Sequence, residues 1–357
     1  MENLRFAIIG CGKVSALHAI SLSKAQGIKL CAAYDRHLDR ATAFCAPRNI
    51  TPYDDIARMI KEERIDAVVV TTPHPVHKEH AITAMKAGAH VLIEKPMAVT
   101  VADCTAILDC AEKCHKTVGI ISQRRWYPAC QRIKKAIDED KIGKPVLGQL
   151  TMLGWRDEKY YASDPWRGKW STEGGGVLVN QAPHQLDLLH WYLGPVKEVY
   201  GIWKNFNHPY IEVEDTAIAT VQFSTGAMAS ILVSNSQKPG IYAKVHIHGD
   251  KAFSTGVQTD GGAMFIAGMS GILEPPVNDL WTIPGEEKNL EAWKQEDTAF
   301  FGKIDATWYF FMLEEEEFAK ALLSGGQPSS NGWEGLETVK LIEGIYRSTQ
   351  SGKPVIY

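Results

Sequence analysis

The sequence predicts two folded parts in series: an α/β domain built on a parallel sheet, then an α+β domain whose sheet is largely antiparallel. Three observations carry this. The chain opens on an apolar stretch, "LRFAIIG", that runs through a glycine turn into a helix-like segment, "KVSALHAISLSK". Short β-branched runs then alternate with amphipathic segments, the pattern of parallel strands joined by right-handed helical crossovers. Beyond "SQRRWYP" the alternation gives way to strand-like runs with few helices between them, as in an antiparallel sheet.

Taken in order, "LRFAIIGCGKVSALHAISLSK" is strand, turn and helix. That is the context in which glycines let a backbone approach a pyrophosphate at a helix N-terminus. Gly10 and Gly12 supply the turn, and Ser15 stands where a third small residue is usual. The next strand, "IKLCAAYD", ends in Asp35, roughly twenty residues on, where a carboxylate accepts from an adenosine ribose and repels a 2'-phosphate. This favours NAD over NADP; Arg36, immediately after, is a residue type that can clamp the phosphate instead. "ARMIKEERI" and "KEHAITAMKAG" read as helices, "DAVVVTTP" and "HVLIEKP" as strands. In such sheets ligands bind beyond the carboxyl ends of the strands. "TTPHPVH" and "EKP" fall at such ends, which aims Lys95 at a cleft; taken alone, Glu94 and Lys95 also fit a surface ion pair.

Composition narrows the class of partner. The 357 residues are 45% hydrophobic and 22% charged, with a formal net charge of -4. No global basic field draws the chain to nucleic acid or anionic membrane, so a small molecule is the expected partner. The N-terminus has no signal-peptide pattern and no later run has the length of a membrane span. The seven cysteines, all within the first 130 residues, are odd in number and lack paired CxxC spacing, which points to reduced thiols and a cytoplasmic location. Cys110 and Cys114 share a helix face as packing residues, no cluster has zinc spacing, and no metal is expected.

In the second half, "VLGQLTML", "VKEVYGIWKNF", "DTAIATVQFS", "AMASILVSNS" and "YAKVHIHGD" read as strands. His246 and His248 follow sheet alternation. "EEEE" at Glu314 to Glu317 reads as a solvated face within a long helix. The glycine-rich run from Ser254 to Pro276 reads as hairpins and a loop. In "GGGVLVNQAPHQLD", Asn180 and His184 are four apart and share a face if the segment is one helix. His184 is then either a packed histidine or a general acid/base.

The ordered set of a glycine-rich turn, a strand-end acid, "TTPHPVH", "EKPMAVT", "GGGVLVNQAPHQLD", "VEDT" and a closing "IYRSTQSGKPVIY" resembles the glucose-fructose oxidoreductase / inositol dehydrogenase / MocA family over essentially the whole chain. The resemblance implies a Rossmann domain over residues 1–123. It implies an α+β domain over 124–357 for substrate binding and oligomerisation, with an open-faced sheet and a last helix packing back on the first domain. It assigns Lys95 and His184 as catalytic residues. The cofactor would meet Gly10, Cys11, Gly12, Lys13, Val14, Asp35, Arg36, Thr72, Pro73, His77, Glu94, Lys95, Gln123, Trp166 and Arg167. Substrate would meet Lys95, Arg124, Tyr127, Asn180, His184 and Asp187, and Asp187 can alternatively orient its helix. Many members have an aspartate where this chain has Asn180, and an amide carries no proton at neutral pH. Trp155, Tyr160 and Tyr161 suit either a sugar ring or packing.

The function so implied is nicotinamide-dependent hydride transfer at a secondary alcohol or ketone of a sugar, glycoside, nucleotide sugar or cyclitol, in a homo-oligomer. An alternative is an NAD-dependent glycosidase or lyase working through transient C3 oxidation, with Tyr127, Asp157 or His184 as the extra base. A third is a non-catalytic nucleotide-sensing protein.

Overall fold

The computed structural model describes residues 3–260, 265–272 and 274–357. In chain order the elements are β1 (Leu4–Ile9), α1 (Lys13–Lys24), β2 (Ile28–Tyr34), α2 (Leu38–Cys45), β3 (Thr51–Tyr53), α3 (Ile56–Glu62), β4 (Ala67–Val70), α4 (His77–Lys86), β5 (His90–Ile93), α5 (Val101–Cys114) and β6 (Val118–Ile120). They continue as α6 (Pro128–Asp138), β7 (Pro145–Leu153), α7 (Glu158–Ala162), α8 (Val177–Asn180), α9 (Pro183–Leu193), β8 (Val196–Lys204), β9 (Thr216–Phe223), β10 (Met228–Ser234), β11 (Tyr242–Gly249), β12 (Ser254–Asp260), β13 (Val277–Trp281), α10 (Asn289–Phe301), α11 (Tyr309–Ser324), α12 (Gly332–Ser351) and β14 (Val355–Ile356). Two compact units result, residues 1–123 with 307–339 and residues 124–306 with 340–357.

The first unit holds a six-stranded parallel sheet in the order β3-β2-β1-β4-β5-β6. The central stretches Phe6–Ile9, Ala67–Val70 and Val91–Ile93 are apolar and buried at every position because both faces are covered. Ala7 and Ile9 of β1 belong to one core cluster and Phe6 and Ile8 to another, the period of two that a strand imposes. Asp55 and Thr100 cap α3 and α5 by accepting the backbone N–H groups of Arg58 (2.7 Å) and Asp103 (3.0 Å). The strand order reverses between β1 and β4, the crevice where such sheets bind ligands.

The acidic run of α11 is not the solvated face its charge suggests. Glu314 and Glu315 are 2% and 0% exposed. Each of the four carboxylates has a specific partner: Glu314 accepts from Ser122 N–H (2.8 Å), Glu315 meets His18 Nδ1 (2.8 Å), Glu316 accepts from Gln26 N–H (2.8 Å) and Glu317 from Ser329 N–H (2.9 Å). Carboxylates are tolerated at buried positions when each has donors to accept from.

The second unit holds an eight-stranded sheet in the order β13-β12-β11-β7-β10-β9-β8-β14, with β7 and β10 parallel and every other pair antiparallel. Along β9 the buried residues Ala217, Ala219, Val221 and Phe223 alternate with the exposed Ile218, Thr220 and Gln222. One face is core and the other open. Helix α9 lies against β7 at Gly148, where a Cβ would come within 2.5 Å of Leu193. The run from Ser254, expected as hairpins and a loop, begins as β12, which pairs antiparallel with β11 before it and β13 after it; residues 261–264 and 273 of it lie outside the described residues. His246 pairs with Asp279 (3.1 Å) and His248 with Ser254 (2.7 Å).

Candidate functional site

In the first unit a dinucleotide cradle is built from backbone. Gly10 sits at φ +102° with Thr72 so close that a Cβ would meet its Cγ2 at 2.7 Å, whereas a Cβ on Gly12 would meet nothing within 4 Å. The first position demands glycine; the second leaves open space at the start of α1. Helix α1 has no side-chain cap and no acid in its first turn, which Lys13 and Val14 open, so its positive dipole end suits an anion. Asp35, at the end of β2, is locked to this turn: Oδ2 accepts from Cys11 N–H (3.2 Å) and Oδ1 from His37 N–H (3.0 Å). Arg40 Nη1 also lies 3.7 Å from Oδ2. Arg36 is turned toward His37 Nε2 (3.1 Å). Burial pushes the Cys11 thiol up to about 12, so it is not a nucleophile. These residues fit a nicotinamide dinucleotide, and Gln123, whose Oε1 is buried without a partner, adds an acceptor.

Lys95 follows β5, and its support is more elaborate than sequence suggests. Its N–H donates to Glu94 Oε2 (3.0 Å), while Glu94 Oε1 faces His18 Nε2 (3.1 Å). The His18 ring is fully buried and its other nitrogen meets Glu315. Burial disfavours the charged ring, but the hydrogen bonds to Glu315 and Glu94 outweigh it and push His18 up to about 9. Burial works to raise Glu94, yet the bond to His18 leaves it below the usual carboxylate range, whereas burial lifts Glu315. His77 stands between the carbonyls of Thr72 (Nε2, 2.7 Å) and Pro96 (Nδ1, 3.0 Å). It therefore ties the loop after β4, with Thr72 and Pro73, to the loop after β5. Glu94 and His77, expected against cofactor, also hold the loop that carries Lys95: Glu94 accepts the Lys95 N–H and His77 meets the Pro96 carbonyl. His18 and Glu315 were missed, because only the fold makes them neighbours.

In the second unit the glycine-rich segment is not one helix. Pro183 has no N–H to continue the ladder, so the chain makes a single turn in α8, bends through Gln181 and Ala182, and restarts as α9. Asn180 closes the first piece and His184 is the second residue of the next. They do not share a helix face. The Asn180 amide donates to Glu173 Oε1, a buried carboxylate that also accepts from Gly168 N–H, so Asn180 holds the loop that leads into α8. "VEDT" explains itself here. Glu214 accepts from Gly176 N–H (2.9 Å), Leu178 N–H (2.9 Å) and Tyr346 Oη (2.9 Å), pinning the triple-glycine lead-in; burial lifts its carboxyl to about 7 against these bonds. Asp215 meets His208 Nδ1 (2.7 Å) and the N–H of Phe206 (3.0 Å) and Asn207 (2.8 Å).

The remaining candidates are engaged within the same unit. Both oxygens of Asp187 accept from Arg125 (2.7 and 2.8 Å), which fixes this acid on α9. Arg124 forks onto Asp260 (2.6 and 3.3 Å), which also accepts from Gln185 (3.1 Å). Tyr127 is buried, and burial pushes its phenol up to about 12. Asp157 caps α7 through Tyr160 N–H (2.9 Å). Arg167 stacks on Trp166 and Tyr160, 4.4 and 4.2 Å from their ring centroids, and pairs with Asp164 (3.2 Å). Tyr160 and Tyr161 are packing residues, 3% and 7% exposed; Trp155 stacks on His208, with ring centroids 5.3 Å apart.

Among the described residues no three His, Cys, Asp or Glu side chains gather as a metal site needs, and no helix is long and apolar enough to cross a membrane.

Comparison with known proteins agrees with this anatomy. Residues 4–122 match the family model described as an oxidoreductase family with an NAD-binding Rossmann fold, and residues 130–254 match the GFO/IDH/MocA C-terminal domain. The chain is 30% identical to a 1-carboxy-3-chloro-3,4-dihydroxycyclohexa-1,5-diene dehydrogenase of Comamonas testosteroni, over 65% of this chain and 58% of that protein, less than two thirds of its length. It is 23% identical to an inositol 2-dehydrogenase/D-chiro-inositol 3-dehydrogenase of Halalkalibacterium halodurans, over 98% and 92% of the two chains. The solved structure of the WlbA dehydrogenase from Bordetella pertussis, in complex with NADH and UDP-GlcNAcA, superposes with a TM-score of 0.85 at 27% identity, covering 100% of this chain and 98% of that one. With a glycine turn locked to a strand-end acid and both of its halves matched, this chain belongs to the Gfo/Idh/MocA family of NAD-binding oxidoreductases.

Proposed function

We propose that the protein is an NAD-dependent dehydrogenase acting on a secondary alcohol, or the corresponding ketone, of a sugar, glycoside, nucleotide sugar or cyclitol. The observation that carries this reading is the Gly10–Gly12 turn locked to Asp35, in a unit that also braces Lys95 at the end of β5 in the same sheet. The first unit holds the cofactor and the second, carrying His184, receives the substrate. Bound nicotinamide accepts or gives the hydride. His184 takes the hydroxyl proton, and the Lys95 ammonium stabilises the negative charge that develops on oxygen. In reduction the same groups return the proton. Substrates named for relatives, an inositol and UDP-GlcNAcA, support a ring bearing secondary hydroxyls.

The elimination route of a glycosidase needs a second base beside the oxidised carbon. Burial raises the Tyr127 phenol to about 12, and Asp157 is tied to α7 as its cap, so His184 alone would serve both roles. The test mixes the protein with NAD and a panel of free sugars, glycosides, nucleotide sugars and inositols. NADH accumulation supports the dehydrogenase, aglycone release at constant NADH supports elimination, and binding of nucleotide without either product supports a sensor.

The preference for NAD over NADP rests on Asp35. Asp35→Ala is expected to weaken NAD much more than NADP in a binding titration; equal loss of both would remove the assignment. The open face of the large sheet supports a homo-oligomer: Ile202 and Ile218 pair across β8 and β9, and Leu147 and Met228 across β7 and β10, each 46–57% exposed. An apolar face of this kind marks an interaction surface. Ile202→Asp with Ile218→Lys is expected to lower the mass measured by light scattering to that of a single chain, and an unchanged mass would place the contact elsewhere.

A further inference from the structure

Arg156 follows β7 and is 5% exposed. A buried guanidinium needs a countercharge or it carries an uncompensated desolvation cost. The other two buried arginines of the second unit have one, Arg124 in Asp260 and Arg125 in Asp187, each held by two nitrogens. Arg156 has no carboxylate partner among the described residues. Its Nη1 donates to the Trp155 carbonyl (2.9 Å), its charged carbon lies 5.2 Å from the Tyr160 ring centroid, and its Nε is buried with no hydrogen-bond partner. Burial pulls its pKa below the usual arginine value, as expected for a cation lacking an anion.

The surroundings do not make up the deficit. Asp260 is the acid whose field reaches Arg156, but it already accepts from Arg124, Gln185 and Thr259. Arg167 lies over the same Tyr160 ring (4.2 Å) and has Asp164 for its own charge. Glu173 accepts from Gly168 N–H and the Asn180 amide. Two guanidinium groups therefore share one aromatic ring with one carboxylate paired to them. The ring is also tied to the segment that carries His184, because the Tyr160 hydroxyl accepts from Gln181 (2.8 Å), in the turn before α9, and Gln181 Oε1 accepts in turn from Asn235 (2.7 Å).

We infer that Arg156 is an anion receptor of the substrate site: the sugar carries a carboxylate or a phosphate, and this guanidinium supplies the countercharge that the chain itself omits. The inference rests on the dehydrogenase reading only for the identity of the ligand as substrate. A guanidinium suits either anion because its planar fork matches both.

The test uses matched methyl pyranosides that differ only at C6, as free hydroxymethyl, carboxylate or phosphorylated hydroxymethyl, offered to the NAD-loaded protein. Both equilibrium binding and NADH formation are read. The wild type is expected to bind one anionic member at least about tenfold more tightly than the neutral one, the scale of a charge-assisted hydrogen bond. Whether carboxylate or phosphate is preferred identifies the anion. Arg156→Gln is expected to abolish the preference while leaving affinity for the neutral member unchanged. Equal binding of neutral and anionic members, or a preference that survives Arg156→Gln, overturns the proposal. Should that variant not fold, Arg156→Lys is read instead; it must weaken the anionic member selectively, and equal loss for the neutral one overturns the proposal. Anion-selective binding with no NADH from any member removes the dehydrogenase reading and keeps the receptor. NADH formed equally well from neutral members does the reverse.

Discussion

His184→Ala is expected to lower turnover by roughly 10²–10⁴ while leaving the dissociation constant of NAD unchanged. The histidine sits in the second unit, at the start of α9, whereas the cradle of Gly10, Gly12 and Asp35 belongs wholly to the first, so the chemistry and the nucleotide are separable. Lys95→Ala should give a loss of similar size in kcat, because the lysine acts on charge that appears only as the alkoxide develops. Stopped-flow reduction of NAD together with a fluorescence titration of the nucleotide distinguishes the outcomes. Parallel loss of binding and turnover in the His184 variant would return that residue to a packing role.

His18→Leu is expected to destabilise the protein by about 3–5 kcal/mol, the cost of leaving buried charge without its partner. The residue is 0% exposed and separates Glu94 from Glu315 at 3.1 and 2.8 Å; without it two carboxyl groups face one another in an apolar setting. The pH dependence follows from the direction of the shift. Because His18 is raised to about 9 in the folded chain, from about 6.5 when unfolded, its contribution is complete below the unfolded value and is lost as pH rises through the folded one. The denaturant midpoint of the wild type should therefore fall between about pH 7 and pH 9, and that fall should be absent in His18→Leu. Adding Glu315→Gln to His18→Leu should recover part of the loss by removing one of the stranded acids. A wild-type midpoint that is flat over this range would mean that the ring is neutral in the folded protein. Since Glu94 also accepts the Lys95 N–H, His18→Leu should disturb turnover as well.

Legibility divides along a physical line. The glycine turn, Asp35 and the apolar strands were readable because they depend on backbone conformation and periodicity within a few residues of themselves: Gly10 needs its positive φ whatever lies elsewhere, and the stretch of a strand covered on both faces is apolar. Pro183 was equally readable as the break between Asn180 and His184, since a missing N–H is a local property. The acidic run of α11 was misjudged for the opposite reason. Charge in a sequence predicts exposure until a donor is found, and the donors of Glu314 and Glu315 lie 192 and 297 residues away.

The same distance hides the second unit's arginines. Arg124, Arg125 and Arg156 look alike in sequence; their acids, where they have them, come from 136 and 62 residues further along. The sequence by itself determined the parallel sheet, the glycine cradle with its strand-end acid, and the family to which these belong, because short-range backbone rules and the order of motifs are written locally. Only the tertiary structure decided which charged side chains are buried together, that Lys95 rests on a histidine between two glutamates, and that Arg156 has no acid of its own. Pairing and desolvation of charge are properties of neighbours in space.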